Sequence, residues 1–270
     1  MRVAFQGERG AYSEEAIIQR FGPGVEPVPR PYLRDVFESV ERGESELGLV
    51  PVENTVEGSI VRTYDLLNEK TLKARGEVVL RVVHCLIANP GVSIDDIEKV
   101  YSHPQALGQC RGYIEENGFE AVAAYDTAGS VKMLKERGST DSAAIASSRA
   151  AEVYGLAVLE RGIEINAENY TRFLLIGMED HPPTSNDKTS IGFIVDHRPG
   201  TLHEALNAFA RHQINLTKIE SRPLIGSPWE YIFFVDVVGH REDPEVNAAL
   251  EGLRESSSWV KILGSYPRAG

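Results

Sequence analysis

Residues 179–188, EDHPPTSNDK, decide how this chain is read. The stretch has no apolar periodicity and carries paired prolines, so it reads as a linker. On its far side the pattern predicts a strand over 189–195, a helix over 200–212, strands over 214–220 and 231–238, a helix over 244–255 and a strand over 259–263. That βαββαβ order is ferredoxin-like. On its near side, short apolar runs alternate with amphipathic segments, the signature of an α/β sheet fold. Strands are expected at 3–5, 47–50, 78–88, 100–102, 121–125, 143–146 and 173–177. Helices are expected to begin near Ser13, Tyr32, Ser59, Pro104, Thr127 and Ser147, with Ser13 ahead of two glutamates and Pro104 at a first helical position.

The long run 78–88 is expected to carry the chain from one lobe to another, and the segment from Asn169 to bring it back. A double crossing of this kind makes a hinge, and hinged lobes close on small ligands. The expected organisation is a bilobal region over 1–180, with lobe 1 near 1–77 and 165–180 and lobe 2 near 78–164. A linker over 181–188 and a C-terminal module over 189–270 complete it.

A chain of 270 residues supports two domains and a full core, and 42% hydrophobic content is ordinary for a soluble protein. The formal net charge of −12 argues against nucleic acid or an anionic membrane as the main partner, because both need a basic field. Cys85 and Cys110 have no CxxC or zinc spacing and read as reduced, packed thiols, so no metal is expected. The N-terminus enters a strand directly and no run reaches membrane-spanning length, which points to the cytoplasm.

Four strands end in loops rich in Gly, Ser, Thr or Asn that open helices: 6–13, 51–55, 102–105 and 126–130. Free N–H groups at such places favour carboxylates or phosphates, so the expected site is a cleft that grips an anion. Gly7-Glu8-Arg9-Gly10 is neither a dinucleotide nor a Walker loop; a tight turn and ligand contact both fit it. Glu53 reads as a cap or a general acid, whereas Asn54, Thr55 and Ser59 supply neutral donors for an oxyanion. His103 reads equally as a helix-entry residue or a ligand contact.

The segment 169–173, Asn-Tyr-Thr-Arg-Phe, sets a hydroxyl and a guanidinium side by side where the sequence turns apolar. Such a pair can present a proton donor beside an anion clamp. A threonine hydroxyl is a poor acid in water, so that role requires a closed, preorganised site.

At these residues the chain resembles the prephenate dehydratases, nearly from end to end. The matching blocks are GERGAYSEEA at 7–16, PVENTVEGS at 51–59, SHPQALGQC at 102–110, DTAGSVK at 126–132, AAIASSRAAEVYGL at 143–156 and NYTRF at 169–173. The resemblance implies a bilobal catalytic region like type II periplasmic binding proteins, followed by an ACT domain that binds L-phenylalanine. It implies conversion of prephenate to phenylpyruvate with loss of water and carbon dioxide, with Thr171 catalytic. Since aromatisation drives that reaction, no redox cofactor or metal is expected.

The substrate-binding set expected on this basis is Ser13, Asn54, Thr55, Ser59, Ser102, His103, Gln105, Thr127, Ser130, Asn169, Arg172 and Phe173. The phenylalanine site is expected at Gly200, Thr201, Leu202, Asn215, Leu216, Glu220 and Ser221. Glu220-Ser221-Arg222-Pro223 matches the family's Glu-Ser-Arg-Pro motif, whereas Gly200-Thr201-Leu202-His203 departs from its Gly-Ala-Leu-Val. The family's ACT modules pair across subunits, which implies a homodimer or a dimer of dimers. An arogenate dehydratase and a non-catalytic sensor of an aromatic metabolite are the rival readings. With the matching blocks starting so near residue 1, a fused upstream chorismate mutase is not expected.

Overall fold

The computed structural model describes residues 1–224, 226–227 and 229–269, and the chain divides into two compact units. One comprises Met1–Val36, Glu53–Gly58 and Val79–Arg172; the other comprises Phe37–Val52, Ser59–Val78 and Phe173–Gly270. In chain order the elements through the first half are β1 (Arg2–Gln6), α1 (Tyr12–Phe21), β2 (Glu26–Arg30), α2 (Leu33–Glu41), β3 (Leu47–Asn54), β4 (Gly58–Ser59), α3 (Val61–Glu69), β5 (Lys73–Arg81), β6 (Cys85–Ala88), β7 (Lys99–Ser102), α4 (Pro104–Gln109) and α5 (Arg111–Glu116). There follow β8 (Glu120–Ala123), α6 (Thr127–Arg137), β9 (Ser142–Ala146), α7 (Ser148–Tyr154), β10 (Ala157–Arg161), β11 (Tyr170–Gly177), β12 (Asp187–Ile194), α8 (Thr201–Arg211), β13 (Leu216–Pro223), β14 (Tyr231–Val238), α9 (Pro244–Glu255) and β15 (Trp259–Pro267).

In the first unit, a five-stranded sheet runs β10-β6-β9-β7-β8. The pairs β7–β8 and β7–β9 are parallel, while β6 is antiparallel to both its neighbours. Leu86, Val100, Ala143 and Ile145 pack from its strands against Ile114 and Cys110, so Cys110 is a core residue. Burial raises the Cys85 thiol to about 11 and raises Cys110 further, which keeps both protonated and unreactive. The strand pair β1–β2 is parallel, Arg2 opposite Glu26. The strand at 26–30 was not among those expected; Pro27 and Pro29, two apart, turn both missing N–H groups away from β1, as an edge strand allows.

The expected single strand 78–88 is interrupted, ending at Arg81 and resuming at Cys85. At the break the Val82 N–H donates to Asn169 O at 2.7 Å and the His84 N–H to Glu164 Oε2 at 2.8 Å. Hydrogen bonds that a ladder would have taken go instead to the segment before β11.

In the second unit β3, β11 and β5 lie in that order in a sheet, and β13-β14-β12-β15 forms an antiparallel sheet covered by α8 and α9. This is the expected βαββαβ module; Phe193, Phe209, Val235, Val237 and Leu250 are among its core residues. The last two residues of the expected linker, Asp187 and Lys188, are instead the buried start of β12. Asp187 accepts from Thr184 N–H and hydroxyl at 2.6 Å, and Lys188 Nζ reaches both oxygens of Glu77 at 3.0 and 3.1 Å. These polar residues enter the interior because each arrives with its partner.

Candidate active site

Thr171 lies near the start of β11, and Asn54 ends β3. Asn54 Oδ1 accepts the backbone N–H groups of Val56 and Glu57, both at 2.9 Å. Those two donors fix the amide orientation, so Asn54 must point both its N–H bonds the other way. One goes to Asn169 Oδ1 at 2.8 Å and the other to Thr171 Oγ1 at 2.9 Å. With an N–H already directed at its oxygen, the Thr171 hydroxyl is left to donate its own hydrogen. Asn169 continues the chain: its oxygen is taken, so its Nδ2 donates to Gln109 Oε1 at 2.9 Å, and Gln109 Nε2 donates to Glu57 Oε1 at 3.1 Å.

Gln109 and Gln105 lie one turn apart on α4 and border a cavity of about 540 Å³. Val56, Pro104, Gly108 and Ile165 supply apolar walls, with Asn169 at the polar end and the carboxylates of Glu57 and Glu164 on its lining. An apolar space with a few convergent polar groups is the ordinary form of a small-molecule site. Among the described residues that line it there is no lysine or arginine, so it suits a ring better than it suits an anionic group.

Of the residues expected at the site, the structure joins Asn54, Asn169 and Thr171 by hydrogen bonds and puts Gln105 on the same cavity. The Thr55 hydroxyl donates to Glu168 O and accepts from Tyr170 N–H, both at 2.9 Å, fastening this loop to the start of β11. Arg172 pairs with Glu53 at 3.2 Å, so its guanidinium is engaged by a carboxylate of the protein. His103 is the N-cap of α4, with Nδ1 accepting from Gln105 N–H, and Thr127 opens α6 behind the capping carboxylate of Asp126.

Five expected contacts take other roles. The Ser102 hydroxyl donates to Ile145 O at 2.6 Å and Ser130 to Asp126 O at 2.8 Å, both fully buried, because a hydroxyl at a strand or helix end finds a backbone carbonyl first. Ser13 lies inside the first turn of α1, whose N-cap is Ala11, and is also buried. Phe173 is 2% exposed and belongs to the core. Ser59 Oγ donates to Glu220 Oε2 at 2.5 Å and accepts from Lys218 Nζ at 2.6 Å, so it serves the strand β13.

The block at 7–16 is likewise structural in part. Gly10, at φ +86°, lies so near α7 that an added Cβ would sit 2.5 Å from Ala150 Cα. The buried Glu14 carboxylate takes Gly10 N–H at 2.8 Å, Arg9 at 2.9 Å and Arg149 at 3.2 Å, and Ser147 donates to Gly10 O at 2.6 Å. Burial drives the Glu14 pKa up, but the two guanidiniums and the amide outweigh it, and the net shift is downward.

In the C-terminal module, Gly200, Thr201 and Leu202 line a cavity of about 350 Å³ with Asp196, Arg198, Tyr231 and Phe233. Glu220 is held by Ser59, Arg222 pairs with Asp65 at 2.6 Å, and Asn215 accepts Val238 N–H through its carbonyl. Leu216 and Ser221 pair with Val237 and Phe233 along β13.

His84, Tyr12 and Gln109 were missed. His84 Nε2 lies 2.7 Å from Gln109 Oε1, and His84 Nδ1 lies 2.7 Å from the Tyr12 hydroxyl. The available signal was a histidine inside the apolar run Val82-Val83-His84-Cys85-Leu86, where an unpaired polar group is costly.

A hydroxyl held as a donor by Asn54, itself bonded to Asn169 on the lining of an apolar cavity, together with a separate ferredoxin-like module, is the arrangement of a small-molecule enzyme with an added C-terminal domain. The family model described as prephenate dehydratase matches residues 3–181, and that of the ACT domain matches 189–255. The chain belongs to the prephenate dehydratase family. It is 42% identical to a bifunctional chorismate mutase/prephenate dehydratase of Aquifex aeolicus, over 100% of this chain and 74% of the relative. An arogenate dehydratase/prephenate dehydratase of Arabidopsis thaliana is 44% identical over 99% of this chain and 73% of the relative. A solved prephenate dehydratase of Arthrobacter aurescens in complex with L-Phe superposes with a TM-score of 0.91 at 34% identity, covering 100% of this chain and 90% of that one. Among the described residues, no helix is long and apolar enough to cross a membrane.

Proposed function

We propose that the chain converts prephenate to phenylpyruvate, with residues 1–180 as the catalytic region, 181–186 as linker and 187–270 as an ACT domain that senses L-phenylalanine. The observation that carries this is the Thr171 hydroxyl, held as a donor by Asn54 at 2.9 Å. Loss of the ring carboxylate as carbon dioxide supplies the electron pair that aromatises the ring and expels the hydroxyl. Thr171 hydrogen-bonds the departing oxygen, which leaves as water after taking one proton from solvent. Aromatisation provides the driving force, so the residues must mainly orient the substrate and stabilise the leaving oxygen. The reading requires neither metal nor cofactor.

Two lobes, near 1–77 with 165–180 and near 78–164, would close on the substrate, and the protein would work in the cytoplasm. We further assign a homodimer, or a dimer of dimers, paired through the ACT domains. The support is β13, an edge strand whose outward residues include Ile219, 51% exposed. Phenylalanine would bind at the cavity of Gly200, Thr201 and Leu202 and favour a less active arrangement.

The acidic cavity lining favours a second reading. Glu57 and Glu164 are better matched to the ammonium of arogenate than to the keto group of prephenate.

The test is phenylpyruvate formation from prephenate by purified protein, with and without L-phenylalanine and beside arogenate turnover. Prephenate turnover lowered by phenylalanine is expected, and Thr171→Val should abolish it while melting normally. Turnover of arogenate alone moves the assignment to that substrate, and turnover of neither removes the enzymatic reading.

A further inference from the structure

The chain of amides that ends on Thr171 begins at a side chain for which the reaction has no direct use. His84 lies in the gap between β5 and β6, 2% exposed, with its ring edge-on to Tyr12. The direction of every hydrogen bond between it and Thr171 is determined. Val56 and Glu57 N–H groups set Asn54, Asn54 sets the Asn169 oxygen, and Asn169 therefore presents its N–H to Gln109 Oε1. Gln109 Nε2 is directed at Glu57, so the atom facing His84 is an oxygen. His84 must then carry a hydrogen on Nε2. Its Nδ1 accepts from Tyr12, whose hydroxyl is nearer to it, at 2.7 Å, than to Val83 O at 3.1 Å.

Resting on the dehydratase reading, we propose that His84 is a positioning residue for Thr171: its Nε2–H fixes the Gln109 amide, which through Asn169 and Asn54 holds the threonine hydroxyl as a donor. Gln109 Oε1 receives two N–H groups in this arrangement. Without the one from His84, the Gln109 amide is held by two contacts instead of three, the Asn169 N–H on Oε1 and Glu57 on Nε2, and is less firmly fixed. An inverted amide would set Nε2 against the Asn169 N–H, donor against donor, and the disturbance would pass to Asn54 and Thr171. Tyr12 is the second anchor, since it occupies Nδ1 and so reserves Nε2 for the hydrogen.

The two ring nitrogens can be replaced separately. A glutamine at 84 puts its amide nitrogen near the place of Nε2 and retains the donor to Gln109; an asparagine puts its nitrogen near the place of Nδ1 and does not. Both variants are neutral and polar; asparagine is shorter by one methylene, so a packing role alone would lower the melting temperature of His84→Asn without a selective loss of kcat. In prephenate turnover, His84→Asn is expected to lower kcat about 10²-fold with little change in KM, as for a small misplacement of a reacting group. His84→Gln is expected to stay within a few-fold of wild type.

Equal loss in both variants, full activity in both, or a change confined to KM would overturn the proposal. If either variant fails to fold, the tautomer of His84 in the intact wild-type protein decides, read from its ring ¹⁵N shifts. Hydrogen on Nε2 is expected, and hydrogen on Nδ1 overturns the assignment. Wild-type turnover is measured first, so failure of the dehydratase reading shows before any variant is made, and the tautomer measurement still tests the wiring.

Discussion

Asn54→Asp separates donation from shape. The carboxylate is isosteric with the amide and still accepts the N–H groups of Val56 and Glu57, so the loop keeps its anchor. What changes is the pair of atoms facing Asn169 Oδ1 at 2.8 Å and Thr171 Oγ1 at 2.9 Å. In the variant an oxygen replaces Nδ2, and two acceptors confront one another at Asn169. The Thr171 hydroxyl turns to donate to the carboxylate and is lost to the leaving group. Losing one preorganised donor to a developing oxyanion costs about 10²–10³ in kcat, roughly 2.7–4 kcal/mol of transition-state stabilisation. Because Asn54 is not among the residues lining the cavity, KM should move by less than about three-fold. Steady-state phenylpyruvate formation at neutral pH measures both constants, with a thermal melt to establish that the variant is folded. A folded Asn54→Asp enzyme with kcat within about three-fold of wild type would refute the claim that Asn54 sets Thr171 as a donor.

Glu14 has a lowered pKa in the folded chain, so the stability it confers is present above its ordinary value near 4.5 and lost as pH falls through the lower folded value. Glu14→Gln should cost about 2 kcal/mol at neutral pH and flatten the acid limb of a melting-temperature profile. His84 has its pKa lowered by burial, against the opposing pull of Gln109 and Glu164. It stays neutral at neutral pH, and its contribution to stability falls as pH drops below about 6.5 toward the folded value, a slope His84→Gln should remove in denaturation measured from pH 7.5 to 5. Lys188→Met leaves Glu77 buried without its ammonium and should destabilise the protein by about 3 kcal/mol in urea denaturation. Ser59→Ala removes the contacts with Glu220 and Lys218; phenylalanine inhibition should weaken about five-fold or more, ~1 kcal/mol of coupling, in an inhibition titration.

Elements with a clean period were legible from the sequence. Strand β14 was placed residue for residue, and α8 and α9 within one position, because their apolar faces repeat at 2.0 and 3.6. The missed β2 has prolines that speak against a strand unless its place at an edge is known. Breaking 78–88 at His84 depends on hydrogen bonds to Asn169 and Glu164, some eighty residues away, to which local pattern is blind. Thr171, Asn54 and Asn169 were identified as residue types suited to the chemistry, but which atom donates to which could not be read. Ser102 and Ser130 show the reverse error: a hydroxyl in a polar loop looks available until the nearest carbonyl is known.

On the proposed reading the groups that set Thr171 are amides, a phenol and a neutral imidazole, and this choice has a physical logic. A carboxylic acid at the position of Thr171 would protonate the leaving oxygen more readily, but only over the pH range where it retains its proton. Prephenate brings two carboxylates, and the cavity already has Glu57 and Glu164 on its lining. A further ionisable acid there would titrate with them as a coupled set. The Thr171 hydroxyl keeps its hydrogen at every physiological pH, and neutral amides orient it without the desolvation penalty of a buried charge. The weakness of threonine as an acid is tolerable because aromatisation supplies the driving force and the leaving oxygen needs only a well-aimed hydrogen bond. On this reading catalytic power rests on the direction of Asn54 Nδ2–H, which is why an isosteric change at that nitrogen should matter more than loss of a nearby charge.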